Sequence, residues 1–216
     1  MRTMKNTGKV LRMLGLGVAL GMISCEDNNG GGGGSGLGDI GTNDPNVLIC
    51  IGDSITQGNN SGHSYPPLLA GMIGKTVVNL AAKNESTASG AAMAGGALAH
   101  YKPAAVCVLL GACDIIQMLS QDAALENLRS IVQQAKANKT VPLVATLMPM
   151  SEQHAIFAAT TREFNKRIRS MVKSEGGRVV DLEKAFGDNA SLIGPDGLHP
   201  TPAGDQVMAE AFKGKL

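Results

Sequence analysis

Five short apolar runs fall at residues 46–51, 76–80, 104–110, 141–147 and 178–182, and stretches of helical periodicity separate them. The runs have the length of strands and lack the polar alternation of a strand with one face in water. The first stops at Gly52 and the third at Gly111. A helix over 65–73 follows the first run. Ser120 is placed to cap another, whose apolar face is Leu125, Leu128, Ile131, Val132 and Ala135. Phe157, Thr161, Phe164, Ile168 and Met171 repeat likewise, and Gly176-Gly177 supplies a left-handed stop. Residues 203–212 give the last helix. This alternation predicts an α/β domain over 46–216, a three-layer α/β/α sandwich around a five-stranded parallel sheet. Chemistry in such sheets gathers at the carboxyl ends of the strands. No internal repeat or second domain is visible.

The first 45 residues read differently. Arg2, Lys5, Lys9 and Arg12 open a segment whose apolar run, 11–23, is too short to cross a membrane and suits a signal peptide. The run ends in Met22-Ile23-Ser24-Cys25, which resembles a bacterial lipobox. That resemblance implies removal of residues 1–24 as a lipoprotein signal peptide and acylation of Cys25. The protein is then expected to be exported and lipid-anchored in the cell envelope, on the periplasmic side or the cell surface. An ordinary secretory signal with an incidental cysteine is the alternative. Residues 25–45 include Glu26-Asp27-Asn28-Asn29 and five consecutive glycines from Gly30, and read as a flexible tether.

Charge narrows the partners. The chain carries 19 basic and 18 acidic residues, and four of the basic ones lie in the first 24. The remainder is slightly acidic, which argues against nucleic-acid binding. Beyond Cys25 stand Cys50, Cys107 and Cys113, an odd number. Cys50 and Cys107 lie within apolar runs and read as small core residues rather than a disulfide framework. No CxxC pair or His/Cys cluster marks a metal site, and no motif requires a cofactor.

Two polar segments sit where the topology puts chemistry. The first run leads into Gly52-Asp53-Ser54-Ile55-Thr56-Gln57-Gly58, which can expose a serine just past a strand end. It is not the G-x-S-x-G elbow, because Thr56 stands where the second glycine would be. Taken alone it also fits a polar turn in which Asp53 and Ser54 cap backbone amides. Near the other end, Asp196-Gly197-Leu198-His199 places a carboxylate and an imidazole within one turn. The carboxylate can hold the ring by Nδ1 and turn Nε2 outward. A solvated loop histidine is the plainer account.

Together the two segments resemble the SGNH, or GDSL, hydrolases, whose first block is matched by Gly52 to Thr56 and whose last Asp-x-x-His block is matched by Asp196 to His199. The resemblance spans residues 46–212 and implies a flavodoxin-like SGNH fold. By that resemblance Ser54 is the nucleophile, His199 the base and then acid, and Asp196 its orienter, with an acyl-enzyme resolved by water. It implies a serine esterase or acylhydrolase acting on a small acyl ester, either an O-acetylated glycan or a lysophospholipid-like ester.

The chain departs from the family in the oxyanion hole, where the resemblance calls for the nucleophile's own amide, a glycine amide and an asparagine side chain. Asn84 aligns with the glycine, and Gly111-Ala112-Cys113-Asp114 carries Cys113 in place of the asparagine. Asparagine tolerates a left-handed backbone, but a thiol is a weak donor. One reading is that Asn84 compensates through its side chain. The alternatives are a weakly active or non-catalytic ligand-binding lipoprotein with an altered site, and a position 113 that has drifted without consequence. An O-acyltransferase would use the same residues. Asp53, His63, Tyr65 and Met148 are assigned to substrate binding, with a surface loop as the alternative for His63 and Tyr65, and His154 is expected on the surface near the rim. The sequence leaves the oligomeric state open.

Overall fold

The buried apolar runs become five parallel strands in the order β2-β1-β3-β4-β5. They are β1 (Asp44–Gly52), β2 (Thr76–Asn79), β3 (Pro103–Leu109), β4 (Val141–Ala145) and β5 (Arg178–Val180). The computed structural model describes residues 36–58 and 62–216. Residues 1–24, read as a signal peptide, Cys25 and the run of glycines from Gly30 lie outside the described residues. Strand β3 is buried along its whole length, as are the last five residues of β1. This is why those segments carry apolar residues at every position rather than at alternate ones.

The chain moves outward from β1 to β2, then back across β1 to β3 and on to β4 and β5. Right-handed crossovers therefore place α2 (Tyr65–Ile73) on one face, and α3 (Thr87–Tyr101), α5 (Gln121–Ala137) and α6 (Ala158–Ser174) on the other. Helix α8 (Pro202–Lys213) returns to pack on α2. Between these come the short helices α1 (Ser54–Gln57), α4 (Ala112–Ile116) and α7 (Leu182–Phe186). The three-layer architecture is the one expected from the sequence.

Three details differ from expectation. The domain begins before residue 46: Leu37 is part of the core, and the side-chain amide of Asn43 donates to the Asn138 carbonyl at 2.8 Å and to Thr140 Oγ1 at 3.2 Å. The tether assignment therefore does not hold for residues 36–45, which are packed because Leu37 and Asn43 each find a buried partner surface. Helix α3 carries too little apolar periodicity to be read in advance, because it meets the sheet through small residues. A Cβ on its Gly90 would lie 2.3 Å from Leu110 Cδ1. Tyr65 does not face a ligand site. It is fully buried and stacks on Phe212, with ring centroids 4.8 Å apart, where it fastens α2 to α8.

Candidate active site

Ser54 follows the carboxyl end of β1 directly. The Asp53 carboxylate accepts the Ile55 amide at 2.9 Å, starting the single turn of α1, and Gly58 closes it at φ 103°. The turn packs so tightly on β1 that a Cβ at Gly52 would lie 2.2 Å from Thr56 Oγ1. This fixes where the serine stands relative to the sheet.

His199 arrives from a separate loop just before α8. Gly197, at φ 72°, lets this loop pass so close to the preceding one that a Cβ there would lie 2.0 Å from the Ser151 carbonyl oxygen. The Ser151 amide donates to the Gly197 carbonyl at 3.0 Å, and the Gly194 amide to the His199 carbonyl at 2.7 Å. Asp196 Oδ1 accepts the amides of Leu198 and His199, both at 3.0 Å, while Oδ2 lies 2.5 Å from His199 Nδ1. A carboxylate only accepts, so Nδ1 carries the hydrogen and Nε2 is the acceptor. Nε2 lies 2.9 Å from Ser54 Oγ, whose hydroxyl donates to it. Partial burial opposes ionisation of Asp196, but the ring N–H and the two amides outweigh it and hold the carboxyl below its usual range.

Beside this triad, Asn84 and Cys113 line a cavity of about 310 Å³ together with Ser54, Lys83, Gln117 and His154. Asn84 adopts the left-handed backbone, φ 58°, that its alignment with a glycine requires. Cys113 sits in the first turn of α4, its Sγ 3.9 Å from Asp53 Oδ2. Burial, then the nearby carboxylates of Asp53 and Asp114, push its thiol up to about 12, so it remains a neutral S–H. The next residue, Asp114, is turned away from the cavity wall to cap α3, accepting from the Thr87 amide at 3.0 Å and the Thr87 hydroxyl at 2.6 Å. In this way the third strand's loop fixes the segment that carries Asn84.

A second cavity, of about 360 Å³, flanks the same Ser54 and His199 from the side of loop 194–202. His63 lines it, and its Nδ1 makes a very short hydrogen bond to the buried carboxylate of Asp205 on α8. Asp205 carried no sequence signal that separates it from an ordinary helix-capping acid. His154 also belongs to the site rather than to open surface. It lines the Asn84 cavity, and its Nδ1 donates to the Asp196 carbonyl at 2.8 Å.

Two further assignments need correction. Asp53 is 1% exposed and lies beneath the serine, where it caps α1 and meets Cys113; it lines neither cavity. Burial raises its carboxyl to about 7 against the help of the Ile55 amide. Met148 is core, 3% exposed. Asn165 explains why: its side chain takes the Leu147 amide at 2.8 Å and donates to the Leu147 carbonyl at 2.9 Å, clipping the end of β4 inward. Among the described residues, no group of three or more His, Cys, Asp or Glu could hold a metal ion.

Residues 50–207 match the GDSL-like lipase/acylhydrolase family. The chain belongs to this family. Solved structures carry the same fold. A crystal structure of TesA is 24% identical, covering 79% of this chain and 97% of its own, with a TM-score of 0.67. A GDSL-like lipase from Bacteroides thetaiotaomicron is 20% identical over 78% of this chain and 86% of its own, with a TM-score of 0.68. The acetylxylan esterase Axe2 from Geobacillus stearothermophilus is 19% identical over 80% and 94%, with a TM-score of 0.70. No curated protein matches the chain. Family membership supports ester hydrolysis as the general chemistry of this GDSL-like chain.

Proposed function

We propose that the protein is a serine esterase that cleaves a small acyl ester through an acyl-enzyme on Ser54. The observation that carries this reading is the continuous Asp196–His199–Ser54 relay, with bonds of 2.5 and 2.9 Å. His199 Nε2 takes the Ser54 proton as Oγ attacks the ester carbonyl, while Asp196 holds the ring and stabilises its charge. The oxyanion develops toward the cavity of Asn84 and Cys113, next to the amide of Ser54. Protonated His199 then gives its proton to the leaving oxygen, and a water repeats the sequence to free the acid.

The apolar side of the site suits the acyl group. Ile116 and Leu198 line the Asn84 cavity beside its polar residues. An O-acetyl group on a glycan and a short lipid ester are both compatible substrates, and the acetylxylan esterase Axe2 among the similar folds supports the first. A weakly active or ligand-binding protein is the second reading, favoured by Cys113 alone. A fluorophosphonate probe separates them. Labelling of Ser54, found by peptide mass spectrometry and lost in His199→Ala, supports the esterase; an unlabelled, folded chain contradicts it.

We also infer from the lipobox that the protein is anchored outside the cytoplasm through Cys25. Among the described residues no helix is long and apolar enough to cross a membrane. Cells fed an alkyne-tagged fatty acid should label the protein, and Cys25→Ala should remove the label. Persistence of the label would contradict lipidation at this residue.

A further inference from the structure

We propose that the face at the amino ends of the strands docks on the anionic surface of the bilayer that holds the acyl chains of Cys25, so that Ser54 is turned away from the membrane. This rests on the reading of Cys25 as a lipid anchor. The described chain enters the domain at that face. Arg178, the first residue of β5, donates to the Gly36 carbonyl, and Leu37 shares a small hollow with Lys75, Lys213 and Leu216. Gly36 stands eleven positions after Cys25, a stretch that spans at most about 40 Å when fully extended. Ser54 follows the other end of β1, whose nine residues separate the two faces by about 30 Å. Turning the site onto the bilayer would draw the linking stretch out beside the whole domain, roughly 40 Å across for a chain of this size. With the amino ends toward the bilayer, no such extension is needed.

Charge selects the surface. Lys75, Lys102, Lys136, Lys173, Lys213 and Lys215 gather where α2, α3, α5, α6 and α8 finish, all at this face. All but Lys75 are exposed, and none of the six stands in an ion pair among the described residues. The acids nearby are fewer. Asp39 pairs with Lys139 and Glu175 with Arg129, which leaves Asp44 and Glu210. Helix dipoles favour a cation in each last turn, but Lys75 and Lys215 stand beyond the ends of α2 and α8. An anionic lipid surface attracts each such cation that comes within a Debye length of it. Acyl chains and a basic patch together make a stable membrane attachment. At the site end Lys83 and Lys184 lie among Asp122, Glu152 and Asp188, a mixture with no such pull. With the basic face on the bilayer, the ester reaches Ser54 from the aqueous side rather than from the anchoring membrane.

The test is lysine footprinting on the acylated chain, extracted from cells and placed in vesicles of phosphatidylcholine alone or mixed with phosphatidylglycerol. A water-soluble acetylating reagent is added, and each lysine is followed by peptide mass spectrometry. We expect Lys102, Lys173, Lys213 and Lys215 to react about fivefold more slowly in the anionic vesicles than in the neutral ones. The difference should vanish in about 1 M salt, where the screening length is about 3 Å. Lys83 and Lys184 should react alike in both. Flotation with the neutral vesicles scores the anchor separately: a chain that does not float refutes acylation of Cys25 and the docking with it. A chain that floats but whose basic-face lysines react equally in both vesicles, or whose Lys83 and Lys184 are the ones shielded, refutes the docking alone. Shielding by added polyphosphate, with none in anionic vesicles, marks the face as a polyanion site and also overturns the proposal.

Discussion

Cys113 lines the cavity beside Ser54 where the family pattern has an asparagine, and it presents a neutral thiol in place of an amide N–H. Losing one good oxyanion donor costs on the order of 10²–10³ in rate. Cys113→Asn should therefore raise kcat on p-nitrophenyl acetate by about tenfold or more; an unchanged kcat in a folded variant shows that no donor is missing there. Asp53, directly beneath, makes a stability prediction. Its carboxyl is raised to about 7 by burial, whereas an unfolded aspartate titrates near ~3.9. Between these values the native state holds more protons, so stability falls as pH rises through the window. Asp53→Asn keeps an acceptor for the Ile55 amide and removes that loss. Its melting temperature should exceed the parent's by more at pH 8 than at pH 5, the gap corresponding to at most about 3 kcal/mol. A gap independent of pH contradicts a buried, titrating Asp53.

At the scale of elements, the site is held by close backbone approaches more than by side chains. Gly197 lies where any Cβ would strike the Ser151 carbonyl, so Gly197→Ala must shift the His199 loop. We expect a loss of about 1–3 kcal/mol and a larger proportional fall in kcat/KM than thermal melting alone explains. Equal kcat/KM with the parent refutes a role for this close approach in placing His199. The start of the domain carries a further prediction. A chain truncated to begin at Asp44 loses the buried Leu37 and should melt at lower temperature, by the equivalent of about 1.5–3 kcal/mol. These contacts also show what the sequence could not reveal. Strands β1 and β3 were legible because burial on both faces demands unbroken apolar runs, and α5 and α6 because one face must be apolar. Helix α3 was not, since Gly90 and Ala94 bury a face without any apolar period. Leu37 was hidden among glycines and polar residues.

For the molecule as a whole, the serine and the Asp-x-x-His segment lie 142 residues apart in sequence, Ser54 to Asp196, and the sheet topology brings them into one relay. The triad was legible because its residue types are placed by strand ends and local turns. Asp205 and His154 were not, because their roles come from contacts between loops that no local pattern records. Tyr65 misled for the same reason: its position beside the site in sequence says nothing of its stacking on Phe212. We propose that this relay performs ester hydrolysis despite Cys113. It is tested most directly by the rate of p-nitrophenyl acetate hydrolysis by the full chain beside Ser54→Ala. We expect turnover in the parent and only the uncatalysed background in the variant. Equal rates from two folded proteins would contradict it.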